Sequence, residues 1–308
     1  MTDHHPLPPP ETVEVASGVF AYVQPDGSWW INNTGFVVGG SGVCAVDATS
    51  TEKRMRAFQR AIAAITPQPV RTLINTHHHG DHTNGNCMVE DALIVGHANC
   101  RANMADQRIG GLDMVFGAVE WGELTVVPPH LVFDDRLTLY AGDHRMELVY
   151  AGGPAHTTGD VTIWLPDERV LFAGDLVFNG GTPFVLMGSV AGSLEAIGRL
   201  RTLGASTVVP GHGAVCGPEV FDVVERYLRW LQRVAAGTHA AGLNPLDAAR
   251  ETDLGEWGEL LDRERIVGNL HRAYQELDGG PRGGPINVAA AFADMITYND
   301  GRPLHCLA

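Results

Sequence analysis

The chain has 308 residues, of which 44% are hydrophobic and 19% charged, an ordinary composition for a soluble globular protein. The formal net charge is −15 and Lys53 is the only lysine, so no basic stripe exists that could bind nucleic acid or an anionic membrane. The length suffices for one large α/β domain with an appendage.

The sequence shows neither a membrane span nor an export signal. No stretch approaches about 18 consecutive apolar residues, and residues 1–10 lack the basic and apolar segments of a signal peptide. We therefore expect a cytoplasmic protein. The five cysteines are odd in number, widely spaced and without a C-x-x-C pair, which indicates reduced thiols and not a disulfide framework.

The first part of the chain predicts a strand meander followed by a helix. Residues 1–10 are rich in proline and are expected to form a disordered tail. Apolar or alternating runs between glycine-rich turns predict strands at 12–15, 19–23, 34–38 and 42–47. Apolar positions then recur at helical spacing over 51–65, which predicts a helix that covers the sheet.

Residues 77–82, His-His-His-Gly-Asp-His, are the most distinctive stretch of the sequence. The apolar run at 71–76 before them predicts a buried strand. Because side chains alternate along a strand, His77 and His79 should share one face and His78 the other. Exchange of His78 for asparagine should therefore have little effect.

The second half of this motif adds a carboxylate and a further imidazole. Gly80 predicts a turn, after which Asp81 and His82 can address an ion next to the first. We interpret the motif as half of a two-metal site. The alternative is a solvated histidine-rich loop, which would not need the buried strand that precedes it.

Further strands and helices are predicted up to residue 216. The apolar runs predict strands at 92–95, 131–140, 145–150, 161–165, 170–172 and 206–209. Helical spacing predicts helices at 97–106 and, with Ser193 as cap, at 193–203. Residues 107–130 lack periodicity and contain Trp121 among other large apolar side chains. This segment is either a substrate lid or a loop packed under a surface turn.

The last third of the chain is mostly helical. Helical spacing between glycine and proline breaks predicts helices at 219–235, 245–251, 260–277 and 288–298. The predicted organisation is a tail at 1–10, one domain at 11–217 and a helical extension at 218–308. These helices could pack on the main domain, bound a substrate cleft or form a homodimer face.

The pattern His77-x-His79-x-Asp81-His82 resembles the signature of the metallo-β-lactamase superfamily. That resemblance implies a four-layer αββα sandwich with a metal site at one edge of the two sheets. It also implies further ligands from three later segments, and each segment is present in the expected order. They supply His156, Asp175 and His212.

The resemblance implies a dinuclear centre. His77, His79 and His156 would serve one ion, the remaining ligands the other, and Asp175 would bridge the two. Nitrogen and carboxylate ligation favours two zinc ions, and also admits iron or manganese. Two such cations lower the pKa of a shared water toward about 7, so that a hydroxide is available to attack an ester, thioester or amide carbonyl. Asp81 could orient this nucleophile as well as bind metal.

The residues around the bridging position narrow the substrate class. The β-lactam-hydrolysing branch that carries cysteine at this position differs, because Asp175 stands there. The glyoxalase II branch matches the ligands, but it binds glutathione with basic residues beyond this aspartate, and none occurs here between residues 169 and 199. An edge containing Phe178, Phe184 and Met187, with Trp121 from the irregular loop, instead suits an apolar or aromatic acyl group. These side chains could equally be core.

Several non-catalytic segments are similar to the metallo-β-lactamase-fold thioesterase/cyclases of aromatic polyketide pathways. They include residues 181–184, 188–192, 227–232, 261–265, 269–272 and 306–308. This similarity implies release or cyclisation of a polyketide held as a thioester on a carrier protein. Three alternatives remain open: a lactonase or β-lactamase-like hydrolase, an iron-dependent redox enzyme of the same fold, and a non-catalytic scaffold.

Overall fold

The computed structural model describes residues 7–308 and places the strands in two sheets. The first sheet has seven strands in chain order. They are β1 (Glu11–Ala16), β2 (Val19–Val23), β3 (Thr34–Val38), β4 (Val43–Val46), β5 (Val70–Ile74), β6 (Leu93–His97) and β7 (Leu131–Phe133). Strands β1 to β4 form an antiparallel meander, whereas β4 to β7 pair in parallel.

The second sheet has five strands in the reverse spatial order, from β12 to β8. They are β8 (Arg136–Ala141), β9 (His144–Tyr150), β10 (Val161–Leu165), β11 (Val170–Asn179) and β12 (Thr207–Gly213). Only β11 and β12 pair in parallel, and the helix between them makes the crossover that a parallel pair needs.

Nine α-helices are present among residues 7–308. They are α1 (Glu52–Ile65), α2 (Gly80–Thr83), α3 (Ala98–Asn103), α4 (Asp113–Phe116), α5 (Val190–Thr202), α6 (Val220–Ala240), α7 (Pro245–Glu251), α8 (Arg265–Leu277) and α9 (Val288–Tyr298). None of them combines the length and the apolar character that crossing a membrane requires.

Three apolar clusters hold the layers together. Alternate side chains of both sheets, such as Val37 and Leu148, meet in a buried cluster between the sheets. The other face of the first sheet packs on α1 through Phe36 and Phe58. The other face of the second sheet packs on the later helices, with Tyr227 among its buried residues. The order helix, sheet, sheet, helix confirms the four-layer αββα sandwich.

Most predicted elements are present, and the differences have local causes. Helix α5 begins at Val190 and not near Ser193, because the hydroxyl of Ser189 accepts a hydrogen bond from the amide of Gly192 at 2.9 Å and caps it there. Strand β11 continues to Asn179, well beyond the predicted 170–172, since its second half keeps pairing with β12. Of the predicted tail, residues 1–6 lie outside the described part of the chain.

The C-terminal helices pack on the sandwich, which is the first of the three arrangements that the sequence allowed. Asn269 of α8 donates to the carbonyl of Pro183 at 2.8 Å, and the carboxylate of Glu276 accepts from the amide of Val190 at 2.9 Å. Buried apolar side chains of α6, α8 and α9 share one cluster with those of β11 and β12. Helix α9 is thereby held beside the edge where the histidine motif lies.

Candidate metal centre and adjoining cavity

The histidine motif lies at the carboxyl end of β5, between the parallel strands β4 and β6. The carboxyl ends of parallel strands meet at one edge of a sheet, which is where open α/β sheets build sites. Strand β5 ends at Ile74 and α2 begins at Gly80, so residues 75–79 are irregular backbone. Side-chain alternation therefore does not extend through the motif.

The first group of donor atoms contains three imidazole nitrogens. Nδ1 of His79 lies 3.1 Å from Nε2 of His77 and 2.8 Å from Nε2 of His156. His156 comes from the loop between β9 and β10, so two separate segments converge here. With a carboxylate oxygen of Asp175, all four donors lie within 4.8 Å of one another.

The second group consists of Asp81, His82 and His212. Oδ2 of Asp81 lies 3.2 Å from Nε2 of His212 and 3.7 Å from Nε2 of His82. Helix α2 supplies the first two residues and β12 the third. Like the first group, this set is built from segments far apart in the chain, and both of its imidazoles are buried.

Asp175 lies between the two groups. Its Oδ1 is 3.1 Å from Nε2 of His82, and its Oδ2 is 3.3 Å from Nε2 of His156 and 3.4 Å from Nε2 of His212. The register of β11 against β12 shifts next to this residue. Gly211 packs directly against this carboxylate, and only glycine fits there because a Cβ at position 211 would overlap Oδ1 of Asp175. The carboxylate of Asp175 therefore faces donor atoms of both groups.

Backbone carbonyls orient two of the rings. Nδ1 of His156 donates to the carbonyl of Phe184 at 2.6 Å, and Nδ1 of His212 donates to the carbonyl of Gly27 at 3.0 Å. A carbonyl oxygen can only accept, so Nδ1 of each ring carries a proton. In the neutral form of each ring, Nε2 would therefore present a lone pair to the donor groups, as in metal-binding histidines.

Asp47, at the end of β4, orients rings of both groups. Its Oδ2 lies 2.9 Å from Nδ1 of His82 and accepts from Oγ1 of Thr76 at 2.8 Å. That hydroxyl in turn lies 3.0 Å from Nδ1 of His77. The backbone of Asp47 is left-handed, with φ of 59°, a conformation that is strained for a residue other than glycine. Residues with such strain cluster at functional sites. The sequence showed only that Asp47 ends a strand, and no role was predicted for it.

The donor set fits divalent cations. Nε2 of His82 and Oδ1 of Asp175 are both buried without an aligned hydrogen-bond partner among residues 7–308, which is costly unless another group satisfies them. Burial, with the neighbouring imidazoles, lowers the pKa of His77 and His79 well below the ordinary range. Both rings are therefore neutral and can bind metal through a lone pair.

The electrostatics of the second group also favour a cation. Burial alone would lower the pKa of His82, but the carboxylates of Asp175 and Asp81 outweigh it and raise that pKa well above its ordinary value. The position thus attracts positive charge. Nitrogen and carboxylate donors together suit zinc, and they also admit iron or manganese.

A cavity of about 800 Å³ adjoins the donor groups. His79, Asp81 and His212 are among its lining residues. Most of the other residues that line the cavity are apolar and belong to segments that carry no donor residue. Aromatic side chains supply much of it, namely Trp29, Trp30, Phe116, Phe178, Phe184 and Phe292.

Three of the four predicted substrate-binding residues line this cavity. They are Phe178, Phe184 and Met187. Trp121 is not among the lining residues and packs behind Trp30, with ring centroids 4.7 Å apart. The irregular segment 107–130 nevertheless contributes to the wall through other residues, which are Gln107, Arg108, Leu112, Val115 and Phe116.

His78 also lines the cavity, so the expectation that it points away from the site is wrong. The reason is the early end of β5, which removes the strict alternation on which that expectation depended. Its ring packs against that of His79 at a centroid distance of 4.7 Å, but it belongs to neither donor group. Burial lowers the pKa of His78 to about 4, so the ring is neutral.

A buried arginine stabilises the wall. The guanidinium of Arg265 lies 4.2 Å from the ring centroid of Trp29 and 5.1 Å from that of Phe178. It pairs with a carboxylate oxygen of Asp262 at 2.7 Å and donates to the carbonyl of Thr182 at 3.0 Å. The charge of Arg265 is therefore already compensated within the protein.

Curated proteins of related sequence include two kinds of enzyme. The hydroxyacylglutathione hydrolase of Methylococcus capsulatus is 34% identical over 140 residues, which are 44% of this chain and 45% of that protein. The 2,4-dinitroanisole O-demethylase subunit alpha of a Nocardioides strain is 31% identical over 180 residues, which are 57% of this chain and 51% of that protein. The chain thus spans about half the length of these curated relatives.

Solved structures share the fold at low sequence identity. A metallo-beta-lactamase from Pontibacter korlensis superimposes with a TM-score of 0.59 at 20% identity, covering 72% of this chain and 99% of that one. The DIM-1 metallo-beta-lactamase gives a TM-score of 0.59 at 17% identity, with 72% and 98% covered. A family model described as the metallo-beta-lactamase superfamily matches residues 27–212, which include every predicted donor. The chain belongs to the metallo-beta-lactamase superfamily.

Proposed function

We propose that this protein is a dinuclear metal-dependent hydrolase that cleaves an ester or thioester. The observation that carries the proposal is the position of Asp175, whose two carboxylate oxygens face donors of both groups. Zinc is the metal that we propose, with the ligands His77, His79 and His156 on one side. The list of proposed ligands is completed by Asp81, His82, Asp175 and His212.

Two bound cations would lower the pKa of a shared water and polarise the substrate carbonyl. The side chains of the protein then supply orientation and proton transfer. The side chain of Asp81 is 13% exposed, whereas that of Asp175 is only 4% exposed. Both carboxylates line the cavity, but Asp81 is the more exposed of the two, and we assign it to orient the attacking water and accept its proton. The aromatic wall would exclude other water from the reaction.

The cavity supports an apolar or aromatic acyl group as the substrate. Relatives named hydroxyacylglutathione hydrolase take a glutathione thioester, which carries two carboxylates. Two cationic side chains line this cavity, Arg108 and Arg265, and the latter is paired with Asp262. The relative named for demethylating 2,4-dinitroanisole supports an aromatic occupant. The finer assignment, release or cyclisation of an aromatic polyketide from a carrier protein, is supported by the sequence resemblance.

Elemental analysis combined with a substrate panel tests the proposal. The panel contains aromatic and aliphatic acyl thioesters, lactones, β-lactams and an acylglutathione. We expect about two zinc ions per chain and a preference for bulky aromatic thioesters over the acylglutathione. Preferred lactone or β-lactam turnover would replace the thioester with that substrate class. Iron with oxygen uptake would favour the redox alternative, and a metal-replete protein without turnover would contradict the hydrolase.

A further inference from the structure

The segment between β2 and β3 connects the donor groups to the cavity wall. The carbonyl of Gly27 accepts a hydrogen bond from the ligand His212, and Trp30, three residues later, lines the cavity. The indole of Trp30 also packs on Gly80 of the histidine motif, where an added Cβ would lie 2.8 Å from the ring atom Cζ3. One short segment therefore contacts both parts of the site.

The backbone of Trp30 is held in an unfavourable conformation. Trp30 is the third residue of a four-residue turn, in which the amide of Ile31 donates to the carbonyl of Ser28 at 3.0 Å. Its φ is 67°, and glycine or asparagine normally occupies a turn position with positive φ. A bulky side chain persists in this conformation only where its surroundings impose it.

The guanidinium of Arg54, on α1, holds this turn from one side. Its Nη1 donates to the carbonyl of Trp30 at 2.5 Å, and its Nη2 donates to the carbonyl of Asn32 at 2.9 Å. Nη1 also donates to Oδ1 of Asn32 at 3.1 Å and to Oγ of Ser50 at 3.0 Å. One planar group thus fixes the carbonyl of Trp30 and that of the residue two positions later.

The charge of Arg54 is buried without an ion pair. The residue is 8% exposed. Whereas the buried Arg265 pairs with Asp262, Arg54 pairs with no carboxylate among residues 7–308. Burial lowers the pKa of Arg54 to about 10, so the side chain is still charged at neutral pH. A buried charge that only neutral groups compensate is costly, and an apolar side chain would fill the same space without that cost.

We propose that Arg54 is a positioning residue for substrate recognition, which holds Trp30 against Gly80 so that its ring packs on an aromatic acyl group beside the donor groups. The inference deepens the proposed function and rests on it for the identity of the substrate. Arg54 does not touch the substrate and acts through Trp30. The indole is half-buried and lines the cavity, so an occupant can reach it, and the ring of Phe116 supports it at a centroid distance of 5.6 Å.

The test measures binding to the metal-loaded protein without turnover. The probes are two thioethers of N-acetylcysteamine, one with a naphthylmethyl group and one with the saturated decalinylmethyl group, and calorimetry gives their dissociation constants. The aromatic preference is the ratio of the two constants. Replacing Arg54→Met keeps the length of the side chain but removes its donors. We expect the aromatic preference to fall about three- to tenfold, the effect of one aromatic pair.

Two single variants separate positioning from general damage to the fold. Arg54→Lys keeps the charge and one donor group, so it should retain part of the aromatic preference. Arg60→Met lies on the same helix, exposed and outside the cavity lining, and should leave the preference unchanged. Metal content should match the unmodified protein in every variant, because Arg54 bonds none of the proposed ligands.

A double-mutant cycle tests whether Arg54 acts through Trp30. Trp30→Gly removes the ring and suits the left-handed backbone, so it should lower the preference as far as Arg54→Met does. Adding Arg54→Met to Trp30→Gly should then change nothing further. If Arg54→Met does not fold, Arg54→Lys takes its place in the cycle.

Three results would overturn the proposal. They are an unchanged preference in the folded Arg54 variant, an effect of that variant that persists in the Trp30→Gly protein, and the absence of any aromatic preference in the unmodified protein. Because thioethers are not hydrolysed, a protein that cleaves no ester or thioester would still give a decisive answer here. Failure of the proposed reaction and failure of this inference are therefore distinguishable.

Discussion

The donor groups and the cavity they face come from different parts of the chain. All seven proposed ligands lie between residues 77 and 212, within the segment that the family model matches. Much of the cavity wall comes from outside this range, including Val288 and Phe292 of α9. In the centre most ring nitrogens are engaged by neighbouring side chains or carbonyls, whereas several polar atoms of the wall have no partner among residues 7–308.

Because the donor groups and much of the cavity wall come from different segments, substitutions in the wall can change which substrate binds while the donor groups stay the same. The centre is tightly constrained, because outer partners orient four of its five imidazoles, which are those of His77, His82, His156 and His212. Phe178 of the wall stacks on the ring of His212, with centroids 5.1 Å apart, whereas the part of the wall that α9 supplies is held by packing on other wall residues. Side chains of α9 could therefore change without moving a ligand. Substitutions at the metal ligands and their neighbours should therefore have larger effects than substitutions in the cavity wall.

Replacing Asp175→Ala should have the largest effect. It removes the carboxylate that faces both groups, so we expect loss of at least one metal ion per chain. The specificity constant kcat/KM should fall about 10³-fold or more, since even one lost electrostatic contact costs about 10²–10³. Elemental analysis and thioester hydrolysis measure both. The surface variant Asp222→Ala serves as control, and full activity in a metal-replete Asp175→Ala protein would refute the bridging role.

Replacing Gly211→Ala tests the same carboxylate without removing it. The added Cβ would overlap Oδ1 of Asp175, so the carboxylate must move. We expect a roughly 10²-fold loss of activity and a destabilisation of about 1–3 kcal/mol from overpacking, read from the thermal midpoint. Gly198→Ala is the matched control, because its Cβ would meet open space on α5. Equal activities of the two variants would contradict the close fit.

Replacing Asp47→Asn should weaken the centre less. Asparagine tolerates the left-handed backbone, so the fold should persist. Asp47 uses Oδ2 for His82 and the hydroxyl of Thr76, and Oδ1 for the amide of Thr76, whereas asparagine has only one acceptor oxygen. Loss of such an outer partner costs about 10- to 100-fold in metal affinity or activity. Competition with a chelator measures the affinity. An unchanged affinity would show that the ring orientations do not depend on Asp47.

Replacing Phe292→Ala should change the wall and spare the centre. Phe292 packs near Trp29 and Phe184, with centroid distances of 6.0 and 6.4 Å. We expect KM for bulky aromatic thioesters to rise about tenfold, as expected for lost apolar contacts, while an acetyl thioester changes little. Metal content should stay the same. Similar losses for both substrates would place Phe292 in general folding and not in recognition, and Val223→Ala on α6 provides the surface control.

Local sequence patterns predicted much of the fold, because they report burial and capping directly. The apolar runs located most strands, and α7 and α9 were predicted with the bounds observed. The single strand predicted at 131–140 is instead two strands, β7 and β8, which belong to different sheets. The resemblance to the metallo-β-lactamase signature implied which histidine and aspartate side chains converge. The start of α5 was misplaced because two serines, Ser189 and Ser193, are both able to cap a helix, and only the packing selects one.

The failures within the site have a common origin in irregular backbone. The direction of His78 depended on how far β5 extends, which its composition does not reveal. Trp121 was predicted to contact the substrate, but its ring packs against Trp30 and does not line the cavity. Asp47 was overlooked because its role requires the neighbouring strand β5 and the helix α2 to be placed first. The sequence feature that could have identified Asp47 is its position as an acidic residue at the carboxyl end of a strand next to the one that precedes the histidine motif.

The contact that holds Trp29 has a consequence for biosynthesis. Its indole nitrogen donates to a carboxylate oxygen of Glu264 at 2.7 Å, across 235 residues of chain. On the ribosome, the segment carrying the metal ligands is made before residue 264, and at about 5–20 residues per second the delay after residue 212 is on the order of several seconds. The nascent chain therefore has its full set of ligands before the aromatic wall can close over them.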